Sequence, residues 1–206
     1  MPTALEQVQA KLDAMVQAKT PAALIAYRGS EFVGRFEPPD PQIEAIPCTG
    51  RTRVIAITGP TGHGKTTIAA ALQVHLATGT AFAGRPVVRG RVLVLCGENP
   101  DDYNGHLIAT MQDMGLEPAD LDDILIVPSR FPLDHEFGRL DALVDDFGAV
   151  GSVFVDTSAA FYFGDDDNSN TDQLAHASNL RKLSTLPGRP TVFVNCHPIK
   201  NPSRDN

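Results

Sequence analysis

The sequence predicts an α/β fold of three layers, a mainly parallel central sheet between helices, preceded by an amphipathic helix. Three observations carry that prediction. Short apolar runs at 54–57, 91–96, 124–127, 152–156 and 191–196 are continuous, as in strands buried on both faces. The segments between them place apolar residues at helical spacing, which makes the connections βαβ crossovers. The first run leads directly into Gly59-Pro60-Thr61-Gly62-His63-Gly64-Lys65-Thr66, which fills every position of G-x-x-x-x-G-K-S/T between a strand and a helix.

The elements follow in order. Residues 3–19 read as an amphipathic helix, with Leu5, Val8, Leu12, Met15 and Val16 on one face and Thr3 and Glu6 forming a capping box. That face either packs on its own domain or docks on a neighbouring subunit. Thr20-Pro21 ends the helix, and Glu37-Pro38-Pro39-Asp40-Pro41 is an irregular linker. Two regions are therefore expected, 1–50 as helix and linker and 51–206 as the core. Strand 53–57 feeds a helix opening at Thr67-Ile68-Ala69. Strand 91–96 is followed by a helix bearing Leu107, Ile108, Met111 and Met114. After 124–127, Phe137, Leu140, Val144 and Phe147 mark a helix ahead of strand 152–156, and a last helix over 172–186 precedes 191–196.

Composition narrows the function classes. A chain of 206 residues suits one main domain with a substantial core. The net charge of −8 excludes a broadly basic nucleic-acid surface, so any DNA contact must be local. Cys48, Cys96 and Cys196 share no metal-ligand spacing, and the latter two lie in apolar runs where a reduced thiol packs as a small hydrophobe. His63, His75, His106, His135 and His176 form no ligand pair, which argues against zinc. No apolar stretch is long enough to span a membrane, and the N-terminus lacks the order of a signal peptide, so a cytoplasmic, non-membrane protein is expected. Asp165-Asp166-Asp167 reads as a solvated turn rather than a metal cage.

The glycine-rich loop is a nucleotide-phosphate site. A triphosphate needs several converging N–H groups, which a glycine-rich turn opening a helix N-terminus supplies. Residues Gly59, Pro60, Thr61, Gly62, His63, Gly64, Lys65, Thr66 and Thr67 form the expected cradle. Lys65 reaches the β- and γ-phosphates, and Thr66 ligates magnesium, with Thr67 the less favoured ligand. In a parallel sheet, ligand groups gather at the carboxyl ends of strands, so the residues closing each run matter most. Asp156 closes the fourth run and is expected to join Thr66 at the magnesium ion; the alternative is a carboxylate that caps the next turn. Glu98 closes the second and is the candidate base for the attacking water; otherwise it lies in a turn whose cap is Asp101 or Asp102. His197 closes the fifth and either senses the γ-phosphate or serves a structural role.

Phe82-Ala-Gly84-Arg-Pro-Val-Val-Arg-Gly90-Arg-Val-Leu-Val-Leu-Cys-Gly-Glu98, then Val-Phe-Val-Asp156-Thr and Val-Asn-Cys-His197-Pro-Ile-Lys200, together with the phosphate loop, resemble the RepA-like branch of RecA-fold ATPases over about residues 53–200. That family is similar to plasmid and phage replicative helicases. The resemblance implies a RecA-type P-loop domain that binds ATP and magnesium, with Glu98, Lys65 and His197 as catalytic residues. It further implies a homo-oligomeric ring, such as a hexamer, and action on single-stranded DNA in replication or recombination as a motor or loader. The family's arginine finger lies beyond the His-x-x-Lys segment, so the domain is expected to be C-terminally truncated. Lys200 and Arg204 lie late enough to project toward a neighbour. Two other classes share the phosphate loop: a nucleotide-dependent switch or scaffold with little turnover, and a P-loop small-molecule kinase.

Overall fold

Strands β1 (Val54–Thr58), β2 (Arg91–Cys96), β3 (Ile124–Val127), β4 (Val150–Asp156) and β5 (Thr191–Cys196) form one sheet in the order β1-β5-β4-β2-β3. Every neighbouring pair is parallel. The structure, a computed structural model, describes residues 26–36, 40–164 and 169–197. The expected helix over 3–19, the run Asp165-Asp166-Asp167, Lys200 and Arg204 lie outside the described residues.

The three layers arise from the two-residue period of the strands. In β2, Leu93 and Leu95 join one buried cluster while Val92, Val94 and Cys96 join the other. In the same way β4 separates Val153 and Val155 from Phe154, and β5 separates Val192 and Val194 from Phe193. Phe154 and Phe193 stack with ring centroids 4.6 Å apart, which locks adjacent strands on that face.

Helices α1 (Gly29–Gly34), α2 (Lys65–Thr78), α3 (Pro100–Asp113), α4 (Leu133–Phe147) and α5 (Asn170–Lys182) complete the set of described α-helices. Leu133, Leu140 and Val144 of α4 and Leu180 of α5 cover the Leu93 face. The Phe154 face is covered by α2 through Ala69, Ala70, Leu72, Val74, Leu76 and Ala77, and by α3 through Tyr103 and Leu107. The small residues of α2 let that helix lie close to the sheet. Its end is set by Gly79, left-handed at φ 75, whose N–H bonds His75 O at 2.8 Å.

Some boundaries differ from expectation for identifiable reasons. Ile108 is 42% exposed, because α3 presents only a narrow stripe to the sheet. The last helix stops at Lys182 and tightens into a 3-10 turn, Leu183–Thr185, that buries Leu183, followed by buried Leu186. β1 is an edge strand with one open face, and Val54 is 42% exposed. An apolar run alone does not distinguish a central strand from an edge.

The chain divides into two compact units, Met1–Pro38 and Pro39–Asn206. In the first, the described α1 begins with Arg28 N–H donating to Glu31 Oε2 at 3.1 Å and buries none of its residues. In the second, Ile43 is buried and bridges Val87, and Thr191 Oγ1 donates to the carbonyls of Thr49 and Gly50, both at 2.9 Å. No helix among the described residues is long and apolar enough to cross a membrane.

Candidate nucleotide site

The sheet order determines what meets at its carboxyl edge. β5 lies between β1 and β4, so the end of β5 stands between the phosphate loop and Asp156. β2 pairs with β4 in a register that sets Cys96 beside Asp156, so Glu98 emerges one strand further on. These ends and the start of α2 enclose a cleft of about 310 Å³. Its lining includes Thr61, Gly62, Gly64, Lys65, Thr66, Thr67, Glu98, Asp156 and His197.

Within the loop, Gly62 and Gly64 are left-handed, at φ 79 and 76, a region that other residues occupy only with strain. Gly64 is the N-cap of α2, and the helix N-terminus opens into the cleft. Lys65 is buried, and its ammonium donates to Gly59 O at 2.7 Å and Pro60 O at 3.0 Å. Gly59 and Pro60 thus contribute carbonyls that brace the lysine. His63 is exposed, and its N–H donates to Pro60 O at 3.3 Å.

Asp156 is buried, and its Oδ1 accepts from Asn195 Nδ2 at 3.0 Å. The following 3-10 turn, Ser158–Phe161, receives no side-chain cap from its N-cap residue Thr157. For α3, the N-cap is Asn99, whose Oδ1 accepts from Asp102 N at 3.3 Å, rather than Asp101 or Asp102. Glu98 is therefore not spent on the helix start. Its Oε2 accepts from Thr157 Oγ1 at 2.7 Å and lies 3.8 Å from His197 Nε2. His197 Nδ1 in turn lies 3.4 Å from Thr61 Oγ1, so a polar chain runs from the phosphate loop through His197 to Glu98 and Thr157. Also lining the cleft, Thr67 Oγ1 meets His106 Nδ1 at 3.3 Å, and His106 pairs with Asp102 at 3.7 Å.

Burial governs the two thiols at the ends of β2 and β5. Burial, reinforced by Asp156, pushes Cys96 up to about 11. Burial also raises Cys196, against the opposing effects of Ser158 and Lys65. Both thiols therefore stay protonated near neutral pH and are poor nucleophiles. Burial likewise raises the Tyr103 phenol, with Cys96 and Asp156 adding to the effect.

Among the described residues, no three His, Cys, Asp or Glu side chains cluster to hold a metal. A magnesium ion needs no such cage, since it takes one or two protein oxygens beside substrate phosphates and water. Thr66 and Asp156, a hydroxyl and a buried carboxylate on one cleft, are oxygen donors of that kind. Buried Asn195 Oδ1 has no hydrogen-bond partner and belongs to the residue that holds Asp156, so a donor such as an ordered water is called for nearby.

Sequence reasoning assigned no site role to Thr157, Asn195 or Asn99, and weighed Asp102 only as a helix cap and His106 only as a zinc ligand. Asn99 carried a usable signal, an Asn directly before Pro at a helix start. Thr157 and Asn195 stand beside quoted motif residues, but their pairings left no signal, since their partners lie on other strands. A family model described as an AAA domain matches residues 18–203. No curated protein matches the chain.

Proposed function

Since the chain belongs to the AAA domain family, we propose that this nucleotide-binding ATPase domain is a cytoplasmic, magnesium-dependent enzyme of the RepA-like, RecA-type branch that hydrolyses ATP. What supports the reading is the convergence of Lys65, Thr66, Glu98, Asp156 and His197 on one cleft. Lys65 exchanges the carbonyls of Gly59 and Pro60 for oxygens of the β- and γ-phosphates, helped by the amides at the start of α2. Thr66 and Asp156 hold magnesium, which when bound neutralises charge on the phosphate oxygens. Glu98 accepts a proton from water as the water oxygen bonds to the γ-phosphorus. The bond from that phosphorus to the β–γ bridging oxygen breaks, giving ADP and phosphate. His197, between Thr61 and Glu98, senses the γ-phosphate.

At the larger scale, the reading is a helicase-like motor or loader on single-stranded DNA in replication or recombination, working as a homo-oligomeric ring. Its support is the resemblance over residues 53–200, and the charge of −8 confines DNA contact to a local surface. The test is ATP hydrolysis by the purified chain with magnesium, with and without single-stranded DNA. Lys65→Ala should abolish turnover, and Glu98→Gln should lower kcat by about 10²- to 10⁴-fold. Stimulation by DNA supports the motor. Nucleotide binding without turnover would replace it with a switch or scaffold, and phosphoryl transfer to a small acceptor with a kinase.

A further inference from the structure

Thr157 occupies an N-cap position yet makes no side-chain cap to the turn it precedes. Threonine is favoured at such positions because its hydroxyl satisfies free N–H groups at a helix start. Here the hydroxyl donates instead to Glu98 Oε2, at 2.7 Å across two strands. The two partners differ sharply in burial: Thr157 is 5% exposed, whereas the Glu98 side chain is 54% exposed. A fixed, buried donor therefore holds a long carboxylate that otherwise projects into the cleft.

The local backbone brings them together. Gly97 N–H donates to Asp156 O at 2.9 Å, extending the β2–β4 pairing past Cys96. A Cβ at Gly97 would stand 2.9 Å from Ala160 Cβ and 3.0 Å from Phe161 Cζ, so glycine lets the turn after Thr157 close against the end of β2. The His197 imidazole, 3.8 Å from the same Oε2, is a weaker anchor. A partly exposed pair of that length contributes little, while a short O–H···O⁻ bond is charge-assisted and directional. Both contacts fall on Oε2, which leaves Oε1 to address water.

We propose that Thr157 is a positioning residue for Glu98: its hydroxyl holds the carboxylate in the orientation from which Oε1 meets the water attacking the γ-phosphate. This rests on the ATPase reading above. The hydroxyl is committed to Glu98 Oε2, so its loss acts through Glu98, degrading the chemical step and sparing binding.

Thr157→Val keeps the shape and removes the hydroxyl, and Thr157→Ser keeps the hydroxyl. In steady-state hydrolysis by the full chain with magnesium and ATP, Thr157→Val should lower kcat by about ten- to a hundredfold, the cost of a misplaced reacting group. KM and the affinity for a fluorescent ATP analogue should stay within about twofold of the parent, because uniform binding is untouched. Thr157→Ser should restore most of kcat. Equal losses in the Val and Ser variants, or parent-like kcat in Thr157→Val, would overturn the proposal. If Thr157→Val does not fold, Thr157→Ala carries the same expectation. Should the parent show no Lys65-dependent turnover, the ATPase reading fails by itself. Crystal structures of parent and Thr157→Val with a non-hydrolysable analogue then decide the positioning: a displaced Glu98 carboxylate supports it, and an unmoved one overturns it.

Discussion

At Gly64 the loop turns into α2 with φ 76, and at Gly62 it turns with φ 79; a Cβ at either meets nothing within 4 Å. The requirement there is therefore backbone conformation and not space. Gly59 differs, since its backbone is not left-handed and a Cβ would rest 3.8 Å from Lys65 Cγ and Cδ, an ordinary contact. Gly64→Ala should lower unfolding free energy by about 1–2 kcal/mol, the strain of a left-handed alanine, and Gly59→Ala by less, as read by urea denaturation. The motif made all three glycines visible in the sequence but not the separate reason for each. The same limit applies to Glu98. Its place after an apolar run was legible, whereas its hydrogen bond to Thr157 depends on a residue 59 positions away.

Among the elements, α2 and α3 are joined by a buried polar contact as well as by apolar packing. Tyr103 OH donates to Gln73 Oε1, with both side chains inaccessible to solvent and Gln73 Nε2 lacking a partner. Tyr103→Phe should cost about 1–3 kcal/mol, because it leaves the Gln73 amide wholly unsatisfied in the interior. Adding Gln73→Met to that variant should recover part of the loss, since removing both partners is cheaper than stranding one. Denaturant titration of the two single variants and the double checks this. Element type was readable from periodicity: the strands at 91–96, 124–127 and 191–196 match, and the β4 run ends at Asp156 as expected. Strand environment was not. β1 has the same apolar spelling as its neighbours yet lies at the edge, because exposure depends on which strand pairs beside it.

For the whole molecule, the cleft draws on the ends of all the strands except β3 and on the starts of α2 and α3, so a ligand held there should stabilise the second unit as a body. A non-hydrolysable ATP analogue with magnesium at about a hundred times its Kd should add about 2.7 kcal/mol and raise Tm. The gain should disappear in Lys65→Ala, as read by a thermal melt with and without ligand. The linear chain already contained the strand-loop-helix grammar of the phosphate site, the alternation that makes an α/β domain, and the polar residues closing each run, because each is a local pattern. Strand order is not local. The insertion of β5 between β1 and β4 puts Asn195 on Asp156 and His197 between Thr61 and Glu98, and the β2–β4 pairing hands Thr157 to Glu98. Those partnerships come from burying two faces of one sheet at once, a condition that acts on the folded chain and leaves no mark on the spacing of its residues.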